Sequence, residues 1–221
     1  MLPDDEIARR WLDTRRRLDE RSSGVELVAV TKTFPCDSWA AVVRAGGHDV
    51  GENYAQELLT KSREYAERFA DLPPPRVHFI GRLQSNKVRA LASVVDLWQT
   101  VDRTSLIVEI ARWAPGAHVL VQVNATDEPD KGGCPPERVG ALVAEARGSG
   151  LVVDGLMVVG PTDGNPDRAR RAFAHVRRLA DDEGLRVCSM GMSADLDIAL
   201  EEGSTMVRVG SALFGDRPPV G

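Results

Sequence analysis

Residues 25–32 read Val-Glu-Leu-Val-Ala-Val-Thr-Lys, with Pro35 close behind. A run of Val, Leu and Ala carrying one charge reads as a strand buried on both faces, the pattern of a parallel sheet covered by helices. Lys32 closes that strand. The C-terminal ends of parallel strands are where α/β folds gather their chemistry. Desolvation lowers a lysine's pKa from its ordinary value of about 10.4. An amine held partly neutral attacks carbonyls and can form a Schiff base. Position alone favours the plainer reading, a strand-end lysine reaching into solvent. The rest of the chain reverses that preference.

The octapeptide is the first of eight similar segments. The others are residues 48–51, 76–81, 94–101, 117–124, 151–160, 185–190 and 205–210. Helical periodicity fills the gaps between several of them. Ala55, Leu58, Leu59, Ala66 and Phe69 share one face, and that pattern stops at Pro73-Pro74-Pro75. Val139, Leu142, Val143 and Ala146 share another. Ala169, Phe173, Val176 and Ala180 follow Asn165 as N-cap and Pro166 in the first turn. Strand–helix alternation implies parallel strands joined by right-handed crossovers. Eight units in residues 25–215 predict an α/β protein, a single-domain (β/α)8 TIM-type barrel. An open doubly wound sheet is the alternative, weakened because no GxGxxG follows a strand. Ahead of the barrel, Pro3, acids at 4–6 and a stripe of Ile7, Trp11 and Leu18 predict an extra helix over residues 1–24, ended by Ser22-Ser23-Gly24. Residues 216–221 read as a C-terminal tail.

A length of 221 residues is sufficient for one large core. The net charge of −5 argues against nucleic acid as a partner. Cys36, Cys134 and Cys188 form no CxxC pair or disulfide framework, which fits a reducing, cytoplasmic setting. No apolar run approaches the roughly 20 residues that span a bilayer. The acidic start is unlike a signal or transit peptide.

In a barrel the strand ends share one mouth. The second strand ends in Gly51-Glu52-Asn53-Tyr54, with Asn53 as donor and acceptor or as a helix N-cap. The third contains His78 within Val77-His78-Phe79-Ile80-Gly81, more simply a satisfied core histidine than a base. Lys87 and Arg89 read as a solvated helix face. After the seventh strand, Met190-Gly191-Met192-Ser193 places Ser193 as a helix N-cap beside free N–H groups, which also suit an anion. Asp195 would repel an anion there unless it points away. The last strand carries Arg208 between Val207 and Val209, then the Gly210-Ser211 turn. Barrels frequently bind phosphate in these two loops. A buried guanidinium needs a partner, ordinarily a carboxylate. The specific alternative is one ligand gripped at both ends, its phosphate at Ser193 and Gly210-Ser211 and its carbonyl at Lys32. Arg208 then lies near its middle. An aromatic aldehyde phosphate such as pyridoxal 5′-phosphate (PLP) suits that layout.

The stretches AVTKTFP, GENYAQEL, HFIGRLQSNK and SMGMSADLDIALEEGSTMVRVGSALFG together resemble the pyridoxal phosphate homeostasis proteins, the YggS/PROSC-like group, over residues 25–214. The resemblance implies a PLP-binding barrel like the N-terminal domain of alanine racemase, serving intracellular PLP homeostasis and amino-acid balance without established catalytic turnover. It implies that Lys32 carries the internal aldimine, that Ser193, Gly210 and Ser211 hold the phosphate, and that Arg208 faces the pyridine nitrogen. Asn53 lies beside the ring, and His78 falls on a motif position without an assigned role. PLP-dependent client enzymes are the partners this implies, and a monomer is expected. A PLP-dependent racemase and a Schiff-base aldolase or hydrolase acting on a phosphorylated substrate are the alternatives. The chain departs from the family pattern at Arg82, where proline is expected, and at Asp130, where serine is common. The helix after Pro161 also reads as short. These departures bear on partner surfaces more than on the cofactor positions.

Overall fold

In the computed structural model, which describes residues 1–215, all eight apolar segments become strands. They are β1 (Glu26–Val30), β2 (Asp49–Glu52), β3 (Arg76–Phe79), β4 (Leu97–Val101), β5 (His118–Val123), β6 (Val152–Val158), β7 (Val187–Ser189) and β8 (Met206–Val209). Seven of these strands are shorter than their apolar runs because the runs' ends turn into the adjoining loops, and β2 keeps the length of its run but begins one residue later. Neighbours in sequence pair in parallel, and β8 pairs with β1 through Val28↔Arg208 and Ala29↔Val209, closing the barrel. Closure excludes the open sheet. The tail at 216–221 lies outside the described residues.

The helices are α1 (Asp4–Arg21), α2 (Asp37–Arg44), α3 (Ala55–Arg68), α4 (Val88–Leu91), α5 (Thr104–Trp113), α6 (Val139–Gly148), α7 (Pro166–Asp182), α8 (Leu196–Glu201) and α9 (Ser211–Phe214). α1 is the extra element, and it buries Ile7, Trp11 and Leu18 as its stripe predicts. The expectation of a short helix after Pro161 is corrected. α7 runs 17 residues, because Asn165 accepts the Arg168 N–H at 3.0 Å and Pro166 presets the first turn.

Two apolar layers follow from the period-2 alternation of side chains along each strand. Leu27, Ala29, Val50, Val77, Phe79 and their counterparts face the helices and form the main core. Val28, Leu97, Leu120, Met157 and Met206 fill the barrel interior. The same alternation turns His78, Gln99, Ser189 and Arg208 inward, so the interior combines an apolar plug with a polar file.

Candidate functional site

β1 delivers Lys32 to the C-terminal mouth, and the chain around it is tightly held. Thr33 has φ 69, a left-handed conformation that is costly for a β-branched residue. Its N–H donates to Glu57 Oε1 at 2.6 Å. On the other side of Lys32, the Thr31 carbonyl accepts from Lys61 Nζ at 2.8 Å. Lys61 also donates to Glu52 Oε1 at 2.6 Å and to Glu57 Oε1 at 3.0 Å. Glu52 Oε1 further accepts from the Thr31 hydroxyl at 2.7 Å and from Trp39 Nε1 at 3.0 Å. Burial pushes the Glu52 carboxyl up, against the pull of the Lys61 ammonium. Both backbone neighbours of Lys32 are therefore pinned by one buried ionic cluster.

Lys32, Asn53, Ser193, Arg208, Gly210 and Ser211 line a single cavity of about 380 Å³ at this mouth. Val30, Ile80, Met157, Val159, Met192 and Ala194 complete its wall. Asn53 follows β2, and its buried Oδ1 has no hydrogen-bond partner. Gly81 lets the loop after β3 close onto it, since a Cβ there would run into the Asn53 carbonyl. An orphaned buried acceptor in a cavity wall calls for a donor from a ligand.

Ser193 differs from its expected role. Asp195 takes the N-cap position of α8, and Ser193 stands exposed in the preceding turn. Gly191, at φ 98, makes that turn possible; a Cβ there would lie 2.6 Å from the Ala199 Cβ. Asp195 Oδ1 accepts the Met192 N–H at 2.6 Å, and Oδ2 turns toward Gly160. Its charge is thus drawn toward backbone rather than standing open in the cavity. Across the mouth, Gly210 and Ser211 open α9; the Leu213 and Phe214 N–H groups donate to the Gly210 carbonyl at 2.9 and 3.0 Å, and those of Ser211 and Ala212 have no partner within the helix.

Arg208 is 4% exposed and forms no ion pair among the described residues. Nη1 donates to Ser189 Oγ at 2.6 Å and Nη2 to the Val158 carbonyl at 2.8 Å. The carboxylate partner that a buried arginine ordinarily takes is missing. Burial pulls its pKa down to about 10, so it remains a cation at neutral pH.

His78 does not line the cavity. It is fully buried in the barrel, with Nε2 2.9 Å from Asp49 Oδ1 and Nδ1 2.7 Å from Gln99 Nε2. Tyr54 is 54% exposed and, with Arg82 and Lys87, borders a neighbouring cavity of about 370 Å³. Arg82 and Asp130, the two departures in sequence, are both exposed and neither lines this cavity, although Arg82 shares the neighbouring one with Asn53. Sequence reasoning missed Glu52, Glu57, Lys61, Gln99 and Ser189. One signal was available: Leu58, Lys61 and Tyr65 follow the spacing of a buried helix stripe, which places a charge where α3 meets the barrel.

The family model for the alanine racemase N-terminal domain matches residues 4–218. The chain is 38% identical over 218 residues to the pyridoxal phosphate homeostasis protein of Pseudomonas aeruginosa, covering 96% of this chain and 93% of that one. Structures of PipY from Synechococcus elongatus PCC7942, with PLP bound and without it, superpose with TM-scores of 0.83 and 0.85. Each is 31% identical and covers 95% of this chain and 100% of PipY. Lysine decarboxylase from Selenomonas ruminantium matches at TM-score 0.73 over 95% of this chain and 61% of that one, and at 18% identity the likeness is one of fold alone.

Proposed function

This chain belongs to the alanine racemase N-terminal domain family and, within it, to the pyridoxal phosphate homeostasis proteins, and we propose that it holds PLP at the barrel mouth for PLP homeostasis. The observation that carries the reading is the convergence of Lys32, Asn53, Ser193, Arg208, Gly210 and Ser211 on one cavity. The residues fit the group. Arg208 is a buried cation without an anionic partner among the described residues, and Asn53 Oδ1 is a buried acceptor without a donor.

Bound PLP supplies an aldehyde that condenses with a lysine amine, releasing water, and a pyridine ring that can withdraw electrons. Lys32 is the amine. Ser193 and the Gly210-Ser211 turn hold the phosphate. Arg208 donates to the ring nitrogen and, as a permanent cation, keeps a proton off it. That weakens the ring as an electron sink. Asn53 orients the ring's edge.

The role is storage and supply rather than turnover. Racemisation needs proton removal and delivery on opposite faces, hence two acid/base groups. Among the described residues lining the cavity, only Lys32 and Arg208 titrate. His78 is sealed in the interior and Tyr54 borders the neighbouring cavity, so neither supplies a second acid/base group to this one. PLP-dependent client enzymes are the acceptors this role serves. The three cysteines are buried thiols without a disulfide, which suits a reducing compartment such as the cytoplasm.

The test is to incubate the PLP-loaded protein with L-alanine and L-serine in deuterated water and follow the α-proton by NMR. Negligible exchange is expected. Rapid exchange that scrambles stereochemistry and disappears in Lys32→Ala would establish a racemase-type activity instead.

A further inference from the structure

The polar file inside the barrel runs from the cavity to the opposite mouth without a break. Arg208 Nη1 meets Ser189 Oγ at 2.6 Å, and Ser189 Oγ meets Gln99 Oε1 at 2.7 Å. Gln99 Nε2 meets His78 Nδ1 at 2.7 Å, and His78 Nε2 meets Asp49 Oδ1 at 2.9 Å. Asp49 opens β2 and Glu52 ends it, so the file climbs on the order of 10 Å along the barrel. Ser189, Gln99 and His78 are each 1% exposed or less. Their buried polar atoms all have partners.

The two ends give this file a single direction. A guanidinium only donates, and a carboxylate only accepts. Ser189 therefore accepts from Arg208 and gives its own hydrogen to Gln99 Oε1. The Gln99 amide then turns Nε2 toward His78, which must accept at Nδ1 and carry its hydrogen on Nε2, toward Asp49. Reversing any one member leaves two donors or two acceptors facing each other in a buried site, an arrangement that costs the desolvation of both. At the far end Asp49 is held by Arg76, 3.6 Å away, which also reaches Glu26 at 4.0 Å.

We propose that Ser189, Gln99, His78 and Asp49 are positioning residues for Arg208, a one-directional hydrogen-bond file that fixes the guanidinium against the cofactor's ring nitrogen from the opposite mouth of the barrel. This rests on the PLP reading above. It gives His78, which the cavity excludes, a role through Arg208. It also accounts for a buried arginine that pairs with no carboxylate among the described residues, Asp195 acting on it only at a distance: a paired carboxylate would compete with the ring nitrogen for the guanidinium, whereas a hydroxyl and a carbonyl orient it and leave the remaining N–H groups available.

Two measurements test it. In the ligand-free protein, ¹⁵N-histidine NMR at neutral pH should show His78 as the neutral Nε2–H tautomer. The Nδ1–H tautomer would overturn the file. With PLP labelled at the ring nitrogen, wild type should show an unprotonated nitrogen. His78→Leu and Asp49→Ala should each move that resonance upfield, toward the protonated form, and shift the absorbance of the Lys32-bound chromophore. His78→Gln should restore both, because a glutamine can accept from Gln99 and donate to Asp49. Asp49 is only partly buried, at the opposite mouth, so its variant keeps the test available where His78→Leu fails to fold. Resonances identical to wild type in the folded variants would overturn the proposal while leaving PLP binding intact. A wild type that attaches no PLP would overturn the cofactor reading and this one with it.

Discussion

Lys32 needs two things from its surroundings, a fixed backbone and a ligand with its phosphate held at a set distance. The proposed phosphate cup comprises Ser193 on one loop and Gly210-Ser211 on another, all lining the cavity at Lys32. Hydrogen bonds to a charged group contribute roughly 1.5–3 kcal/mol each, so Ser193→Ala or Ser211→Ala should weaken PLP retention about tenfold or more. Equilibrium dialysis measures this, and pyridoxal without its phosphate should bind far more weakly than PLP. Equal affinity for the two would remove the phosphate from these loops. A second expectation concerns Gly81. A methyl group there must displace the Asn53 carbonyl, and overpacking of this kind typically costs about 1–3 kcal/mol. Gly81→Ala should therefore lower both thermal stability and PLP affinity, whereas a cavity-wall change such as Val159→Ala should leave the Asn53 backbone in place. The convergence of the lysine, the serines and the arginine on one mouth was legible in sequence because strand ends and glycine-serine turns have local signatures. The direction of Asp195 was not legible, because it depends on Gly160, which arrives from another strand.

The elements β1 and α3 act as one unit. Thr31, Lys32 and Thr33 take their conformation from Glu52, Glu57 and Lys61. Glu57→Leu removes the acceptor that holds Thr33 in its left-handed conformation. Stopped-flow absorbance should then show slower covalent attachment of PLP to Lys32, with the barrel still folded by circular dichroism. The loop after β5 provides a pH-dependent case. Hydrogen bonding from Thr162, then from Lys131, lowers Glu128 from an ordinary 4.5 to about 2. Lys131 also donates to the Gly160 carbonyl, tying this loop to the one after β6. A carboxylate with a depressed folded-state pKa contributes stability that is complete above its unfolded value and lost as pH falls through the folded one. The loop should accordingly loosen between about pH 4.5 and pH 2, read as faster exchange of the Thr162 amide, and Glu128→Gln should abolish that dependence. At this scale the sequence reveals strands and stripes because hydrophobic periodicity is local. The Glu52–Lys61 pair stayed hidden because its meaning appears only once β2 and α3 are docked. α7 was misjudged in length because the loop from Pro161 to Asn165 delays its start.

Across the whole molecule, closure of β8 onto β1 converts eight separate strand ends into one site. Val28↔Arg208 pairing places the arginine next to the strand that leads to Lys32, although 176 positions separate them by subtraction of their numbers. The alternation of apolar runs and helical patterns was enough to predict the barrel, and the barrel was enough to gather the mouth. The polar file through its interior was not predictable in the same way, because Gln99 and Ser189 gain their roles from partners on other strands. The central claim is that Lys32, rather than another lysine near the mouth, is the residue that bonds PLP. Its most direct test is reduction of the PLP-loaded protein with borohydride, followed by proteolysis and mass spectrometry. The expected result is one pyridoxyl group on the peptide containing Lys32, absent in Lys32→Ala. A pyridoxyl group on Lys87 or Lys131 instead, with the Lys32 peptide unmodified, would contradict the account.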